Sequence, residues 1–215
     1  MLIKRKSIEA EANLKDGPSA NIKKRQQSLS KNNAKEIKNK PEPKAPRTPK
    51  YAPVTLSEQD GVRFLHFGTE WVQGAMRLRK PDWLELEYAQ QMMMWMLFND
   101  NPQHIAQLGL GTASLTKFCY RQFPEANVTA IELNPSVVTI CEVMFKLPQN
   151  DDRLNVIEMD AMDFVMSQAN HGTLDVLQVD LYDATARGPV LDTPEFYQAC
   201  AACLKDDGML TINLF

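Results

Sequence analysis

The stretch Gln107-Leu-Gly-Leu-Gly-Thr-Ala-Ser114 follows an apolar run and opens a helical pattern carried by Leu115, Phe118 and Cys119. It reads as strand, glycine turn, helix. Gly109 and Gly111 let the chain turn sharply and approach a ligand closely, because neither carries a Cβ. Glu132 stands 21 residues beyond Gly111, at the end of a second apolar run from Val128 to Ile131. A carboxylate at the tip of the second strand is placed to hold a ribose diol. A plain tight turn and a solvated Glu would use the same residue types, but the two features at this spacing favour a nucleoside site.

Outward from this stretch the hydrophobic period alternates between strand and helix. Strands are expected at His104–Leu108, Asn127–Ile131, Leu154–Met159, Asp175–Val179 and, after a turn at Asp207-Gly208, Met209–Leu214. Helices are expected over Ser114–Phe123, after the cap pair Asn134-Pro135, from Asp160-Ala161 through Val165, and from Thr193-Pro194 to about Leu204. This alternation predicts an α/β fold with a parallel sheet covered on both faces. Ligands of such sheets sit beyond the carboxyl ends of the strands. Gly109–Thr112, Glu132, Asp160 and Asp180 all fall at such ends. The last strand reaches the end of the chain with nothing to cover it, so C-terminal strands of the fold are expected to be missing.

Upstream, residues 51–82 read as a small antiparallel β segment. Val54-Thr-Leu56, Val62–Phe67 and Trp71–Leu78 are separated by turn signals at Asp60-Gly61 and Gly68. Two or three short strands need a packing partner, either the main domain or another subunit. Pro81-Asp82 reads as a helix start, with Glu85 at capping-box spacing from Asp82. Leu84, Tyr88, Met92 and Trp95 recur at helical intervals, and the Met92–Met96 cluster reads as core filler. Residues 83–215 make the nucleoside-binding α/β domain. Residues 1–50 carry 14 Lys+Arg against 5 Asp+Glu and no aromatic residue. Such a segment is expected to be a disordered basic tail, stiffened before residue 51 by Pro41, Pro43, Pro46 and Pro49. Weak contact with a polyanion, or simple solvation, suits it.

The formal charge of −3 therefore hides an acidic body behind a basic tail. Acidic protein suits a cationic substrate. Cys119, Cys141, Cys200 and Cys203 lie in apolar helical contexts and read as buried helix cysteines, with nothing suggesting a metal. No apolar run reaches the ~18 residues that span a bilayer, and the N-terminus lacks a signal-peptide core. The expected location is the cytoplasm.

From about Thr55 to Phe215 the sequence resembles the spermidine synthase (polyamine aminopropyltransferase) family, a branch of the Rossmann-like class I methyltransferase fold. The resemblance rests on the strand-rich start, Leu86-Glu-Tyr-Ala-Gln-Gln-Met92, Leu108–Thr112, Ile131-Glu-Leu133, Met159-Asp-Ala161, Val179-Asp-Leu-Tyr-Asp183, Gly188-Pro189 and Phe196-Tyr197. It implies a nucleoside site formed by Gly109, Gly111, Thr112, Glu132, Asp160 and Ala161. Glu132 would hold the ribose hydroxyls, and Asp160 with Ala161 would meet the adenine edge. It implies Asp180 as the base or anchor beside the attacking amine and Asp183 at the far amine. Tyr88, Gln90 or Gln91, and Tyr182 would line the substrate channel. The co-substrate implied is decarboxylated S-adenosylmethionine, the acceptor a small cationic amine such as putrescine, and the assembly a homodimer with the early strands as contact.

The chemistry asks for such residues. Aminopropyl transfer is an in-line displacement at a carbon beside a sulfonium, and the attacking amine is protonated at neutral pH until a carboxylate takes its proton. The family's glycine loop usually reads Gly-Gly-Gly-Asp-Gly-Gly, whereas here it is Gly109-Leu-Gly-Thr-Ala-Ser114. The acid that would hold the donor's ammonium is Thr112, and a hydroxyl cannot neutralise an ammonium. Leu181-Tyr182 replaces the usual Ser-Thr. Methyl transfer from S-adenosylmethionine, and a degenerate nucleoside-binding paralogue, are the other readings.

Overall fold

In the computed structural model, which describes residues 51–185 and 189–214, the expected two-residue hairpin forms at Asp60-Gly61. Both residues take positive φ, 53° and 76°, matching the twist of the strands they join. The strands are β1 (Thr55–Gln59) and β2 (Val62–His66), and β3 (Gly74–Arg77) pairs antiparallel with β2 on its other edge. The basic segment 1–50 lies outside the described residues.

The expected helix at Pro81-Asp82 begins later, at Glu87. Residues 81–86 are held by competing partners. Lys117 Nζ donates to the carbonyl of Pro81 at 2.9 Å, Asp82 faces Arg121 at 4.0 Å, and the Glu85 carboxylate is taken by Arg77, with Nε 2.8 Å from Oε2. The Glu85 carboxylate is thus not available to a capping box. α1 spans Glu87–Met92 and tightens into a 3-10 stretch, Met93–Leu97. Met92 and Met93 are buried, Met96 is half-buried, and Met94 is exposed rather than core.

The alternating part follows the expected order: β4 (His104–Leu108), α2 (Ser114–Gln122), β5 (Asn127–Glu132), α3 (Pro135–Met144), β6 (Leu154–Glu158), α4 (Ala161–Met166), β7 (Leu174–Val179), α5 (Pro194–Cys203) and β8 (Leu204–Ile212). Asn134 caps α3 by accepting from Ser136 N, and Thr193 caps α5 by accepting from Phe196 N. The turn expected at Asp207-Gly208 is absorbed into β8. Its pairing with β7 jumps from Leu174↔Leu204 to Val176↔Met209, so extra residues of β8 bulge out.

The five strands are all parallel, in the order β6-β5-β4-β7-β8. The chain runs outward from β4 to β6, returns to β7 on the other side of β4, and so opens a crevice between the ends of β4 and β7. Successive residues of β4 feed opposite faces. Ile105 joins a core with Leu115, Val128 and Phe145, while Ala106 and Leu108 join one with Phe164, Leu177 and Phe196. Leu65 and Met76 of the small sheet lie in the first of these cores, so that sheet packs on the α/β body. The four cysteines are buried in α2, α3 and α5, and burial pushes the Cys200 thiol up to about 12. No described helix is long and apolar enough to cross a membrane.

Candidate active site

The crevice is built where β4 turns into the glycine loop. Gly109 takes φ 86°, and a Cβ there would lie 2.1 Å from the backbone oxygen of Asp180. Only glycine fits, because the start of the loop after β7 occupies that space. The loop is then pinned by Glu132 at the tip of β5. Oε2 accepts from Leu110 N at 3.0 Å and Oε1 from Asn134 N at 2.8 Å. Burial pushes the Glu132 carboxyl up, and the backbone N–H groups of Asn134, Leu110 and Leu133 oppose that rise. A carboxylate has about four acceptor sites, so room is left beside these N–H groups for a hydroxyl of a sugar.

Asp180, one residue beyond β7, stands beside the loop. Tyr88 of α1 donates its hydroxyl to Oδ2 at 3.1 Å, and Asn213 donates Nδ2 to Oδ1 at 3.0 Å. Burial raises the Asp180 carboxyl above its ordinary value, with Asn213 and then Tyr88 opposing. The Tyr88 phenol is itself held well above its usual range, first by burial and then by Asp180, so it stays a donor. Tyr182 donates its hydroxyl to the carbonyl of Asn213 at 3.1 Å.

These groups share a cavity of about 700 Å³. Asp160, Ala161 and Met159 line it at the end of β6, and Asp160 also caps α4 by accepting from Met162 N at 2.8 Å. Its other wall is apolar, with Phe67, Trp71, Val72 and Leu86 from the small sheet and the approach to α1. Two side-chain bonds fasten this wall to the loop after β7. Thr69 Oγ1 donates to Ala184 O at 2.8 Å, and Gln73 Nε2 donates to Asp183 O at 2.9 Å. Asp183 lies exposed at the mouth, where its Oδ1 accepts from Thr185 N and Oγ1. Four carboxylates line the cavity, and no Lys, Arg or His does so among the described residues.

The spermine/spermidine synthase domain model matches residues 87–213, which span the glycine loop, Glu132 and the Asp180 cluster. The chain belongs to the spermine/spermidine synthase family. It is 34% identical over 160 residues to the polyamine aminopropyltransferase of Chromobacterium violaceum, covering 74% of this chain and 60% of that protein. The enzyme of the same name from Neisseria meningitidis serogroup A is 35% identical over 161 residues, again 74% and 60%. The chain therefore spans about three-fifths of the length of these relatives. A probable spermidine synthase from Corynebacterium glutamicum has a similar fold, at TM-score 0.62, 18% identity and coverage of 77% of this chain and 61% of that one.

Of the positions suggested by resemblance to this family, Gly109, Gly111, Glu132, Asp160, Ala161, Asp180, Tyr182, Asp183 and Tyr88 line the one cavity. Three do not. Thr112 is buried beneath the small sheet, its Oγ1 2.8 Å from Ser114 Oγ and 3.4 Å from the Ala75 carbonyl. Gly74, which has no Cβ, packs directly on it. Gln90 turns its amide back to Leu84 O at 2.8 Å, and Gln91 turns to Glu87 at 3.2 Å. Both are exposed, and Gln91 borders a smaller hollow next to Tyr88 and Asn213. Ala113 takes the left-handed φ of 56° that a glycine would hold more easily.

Sequence reasoning missed Asn213, Gln73 and Lys117. Asn213 sits at the C-terminal end of β8, and position at a strand end was the available signal. Lys117 has no exposed surface, and nothing in its local sequence marks it.

Proposed function

We propose that the folded body transfers an aminopropyl group from decarboxylated S-adenosylmethionine to putrescine or a related small amine. The observation that carries this reading is the cavity's charge: four carboxylates and no cationic side chain among its described lining residues. Donor and acceptor are both cations. S-adenosylmethionine carries a carboxylate that the decarboxylated donor lacks, and the cavity's acids repel it. Family membership and the name shared by the two bacterial relatives support the same reading.

In this mechanism Glu132 holds the ribose hydroxyls, and Asp160 with Ala161 meets the adenine edge. Asp183 at the mouth attracts the acceptor's far ammonium. Asp180 takes a proton from the near ammonium, freeing the nitrogen lone pair. That pair forms the new C–N bond at the carbon beside the sulfonium. The C–S bond breaks, its electrons return to sulfur, and methylthioadenosine leaves. A base with a raised pKa is better matched to such an amine than an ordinary carboxylate. The apolar wall from Phe67 to Val72 keeps water from the sulfonium carbon. The enzyme works in this reading as a cytoplasmic homodimer with the small sheet as contact, and the basic segment meets polyanions only weakly.

Thr112 favours a second reading, methyl transfer from S-adenosylmethionine, because it offers no acid to a donor ammonium. Calorimetry on the full chain with both donors, followed by product analysis with putrescine, separates the two. The expected result is at least ~10-fold tighter binding of the decarboxylated donor and release of methylthioadenosine. The reverse order, with a methylated amine as product, would establish methyl transfer. Binding of neither donor to the folded chain would leave a non-catalytic paralogue.

A further inference from the structure

We propose that Asn213, at the end of β8, is the positioning residue for Asp180: it fixes the plane of the carboxylate from the side opposite Tyr88 and supports its ionised form. The inference rests on the role proposed above for Asp180 as base. The geometry has three parts. Asn213 Nδ2 donates to Oδ1 of Asp180 at 3.0 Å while Tyr88 donates to Oδ2 at 3.1 Å. The two oxygens are thus held from two different elements, α1 and the end of β8. The backbone N–H of Asn213 donates to Val179 O at 2.9 Å, continuing the β7–β8 ladder, so the strand does not need this side chain. Tyr182 donates its hydroxyl to Asn213 O at 3.1 Å and lies 3.5 Å from Oδ1. That contact keeps the amide's oxygen toward a donor and its NH2 toward the carboxylate.

The physical consequence follows from the surroundings of Asp180. The titratable groups facing it are Tyr88 and Tyr182, both phenols pushed up first by burial and then by its charge. Neither supplies positive charge. Burial disfavours the carboxylate, and the Asn213 amide is the first of the two donors that oppose this. Without it, Asp180 becomes harder to ionise and free to rotate about Tyr88. The amine's proton then has a poorly aimed acceptor, whereas the nucleoside end, held by Glu132 and the glycine loop, is untouched.

The test uses the full chain with Asn213→Leu, which keeps the shape and removes the donor, and Asn213→Gln, which keeps a donor. Two readouts are taken: kcat and kcat/KM against pH with methylthioadenosine affinity alongside, and the carbon-13 titration of the Asp180 carboxyl. For Asn213→Leu we expect kcat to fall ~10- to 100-fold and the acid limb to move up by about one pH unit. The Asp180 titration should move with it, and the methylthioadenosine Kd should change less than ~3-fold. Asn213→Gln should recover part of both shifts. Should the Leu variant melt early, Asn213→Asp replaces it. A second carboxylate at this distance makes the pair take its first proton at higher pH than Asp180 alone does. An Asp180 titration that stays in place in these variants overturns the inference, even where turnover proves the aminopropyl reading right. A titration that moves in a chain that turns over no amine leaves Asn213 as positioning residue and removes the aminopropyl reading instead.

Discussion

The backbone carbonyl oxygen of Asp180 lies 2.1 Å from the point that a Cβ on Gly109 would occupy. The glycine that lets the chain turn and the acid proposed to do the chemistry are thus one packing unit at the crevice between β4 and β7. Gly109→Ala would have to move the segment that carries Asp180 and adopt a φ of 86°. We expect a loss of stability of ~2 kcal/mol or more. Urea unfolding should show a lower midpoint, and the residual folded protein should have lost turnover.

Asp180→Asn removes the proposed proton acceptor and, because an amide has one acceptor oxygen, one of the two bonds from Tyr88 and Asn213. Turnover should fall by at least ~10³-fold, while calorimetry should return methylthioadenosine affinity within a few-fold of wild type. Equal loss of both would remove Asp180 from the role of base. Because burial raises this carboxyl, the acid limb of kcat/KM in the wild type should lie above the ordinary carboxylate range. Activity should disappear as pH falls through that raised value. The same shift makes the ionised group a stability cost that sets in as pH rises from the ordinary carboxylate value through the raised one. The Asn variant, which lacks this titration, should therefore compare better with wild type in urea unfolding at pH 7 than at acid pH.

Glu132 pins the loop and, in the proposed function, holds the ligand's ribose as well. In Glu132→Gln one backbone N–H, of Leu110 or Asn134, loses its acceptor, at a cost of ~1–3 kcal/mol. The proposed ribose contact is weakened as well. Methylthioadenosine binding should fall at least ~10-fold, and the urea midpoint should drop in the same protein. A variant with full stability and full affinity would show that the sugar is held elsewhere.

Lys117 is a buried ammonium that donates to no carboxylate among the described residues. It donates to Phe145 O at 2.6 Å, at the C-terminal end of α3, to Pro81 O at 2.9 Å, and to the Met76 sulfur at 3.3 Å. Burial lowers its pKa to about 8. The unfolded chain therefore binds more protons than the folded one between about pH 8 and the ordinary lysine value, and this group's contribution to stability rises with pH across that window. Lys117→Met leaves two carbonyls unpaired and should destabilise by ~2–4 kcal/mol. The margin of wild type over the variant should widen from pH 8 to pH 10 in denaturant titrations.

The sheet and the tips of its strands were legible in the sequence. Apolar runs separated by helical periods dictate parallel strands, and parallel strands put their carboxyl ends on one side. Gly109, Glu132, Asp160 and Asp180 could therefore be assigned to one place before any distance was known. The caps Asn134, Asp160 and Thr193 act within a few residues and were equally open to local reading at the helix starts. Asp82 and Glu85 show the limit of that reasoning. Their spacing suits a capping box, but Arg77 takes the Glu85 carboxylate from elsewhere in the fold and the helix starts later.

What the sequence by itself determined is the order of strands and helices and which residue types stand at the strand ends, because hydrophobic period and turn chemistry are local. What only the tertiary structure decided is where side chains from distant elements meet. Thr112 turned out to lie under Ala75 instead of in the cavity, and Gln90 turned back to Leu84. Asn213 came to face Asp180 across 33 positions of sequence, and Lys117 found its carbonyls in two other segments. Those placements depend on which elements pack together and at what register. Each polar group then settles on whichever buried partner satisfies it, and that partner need not be near it in the chain.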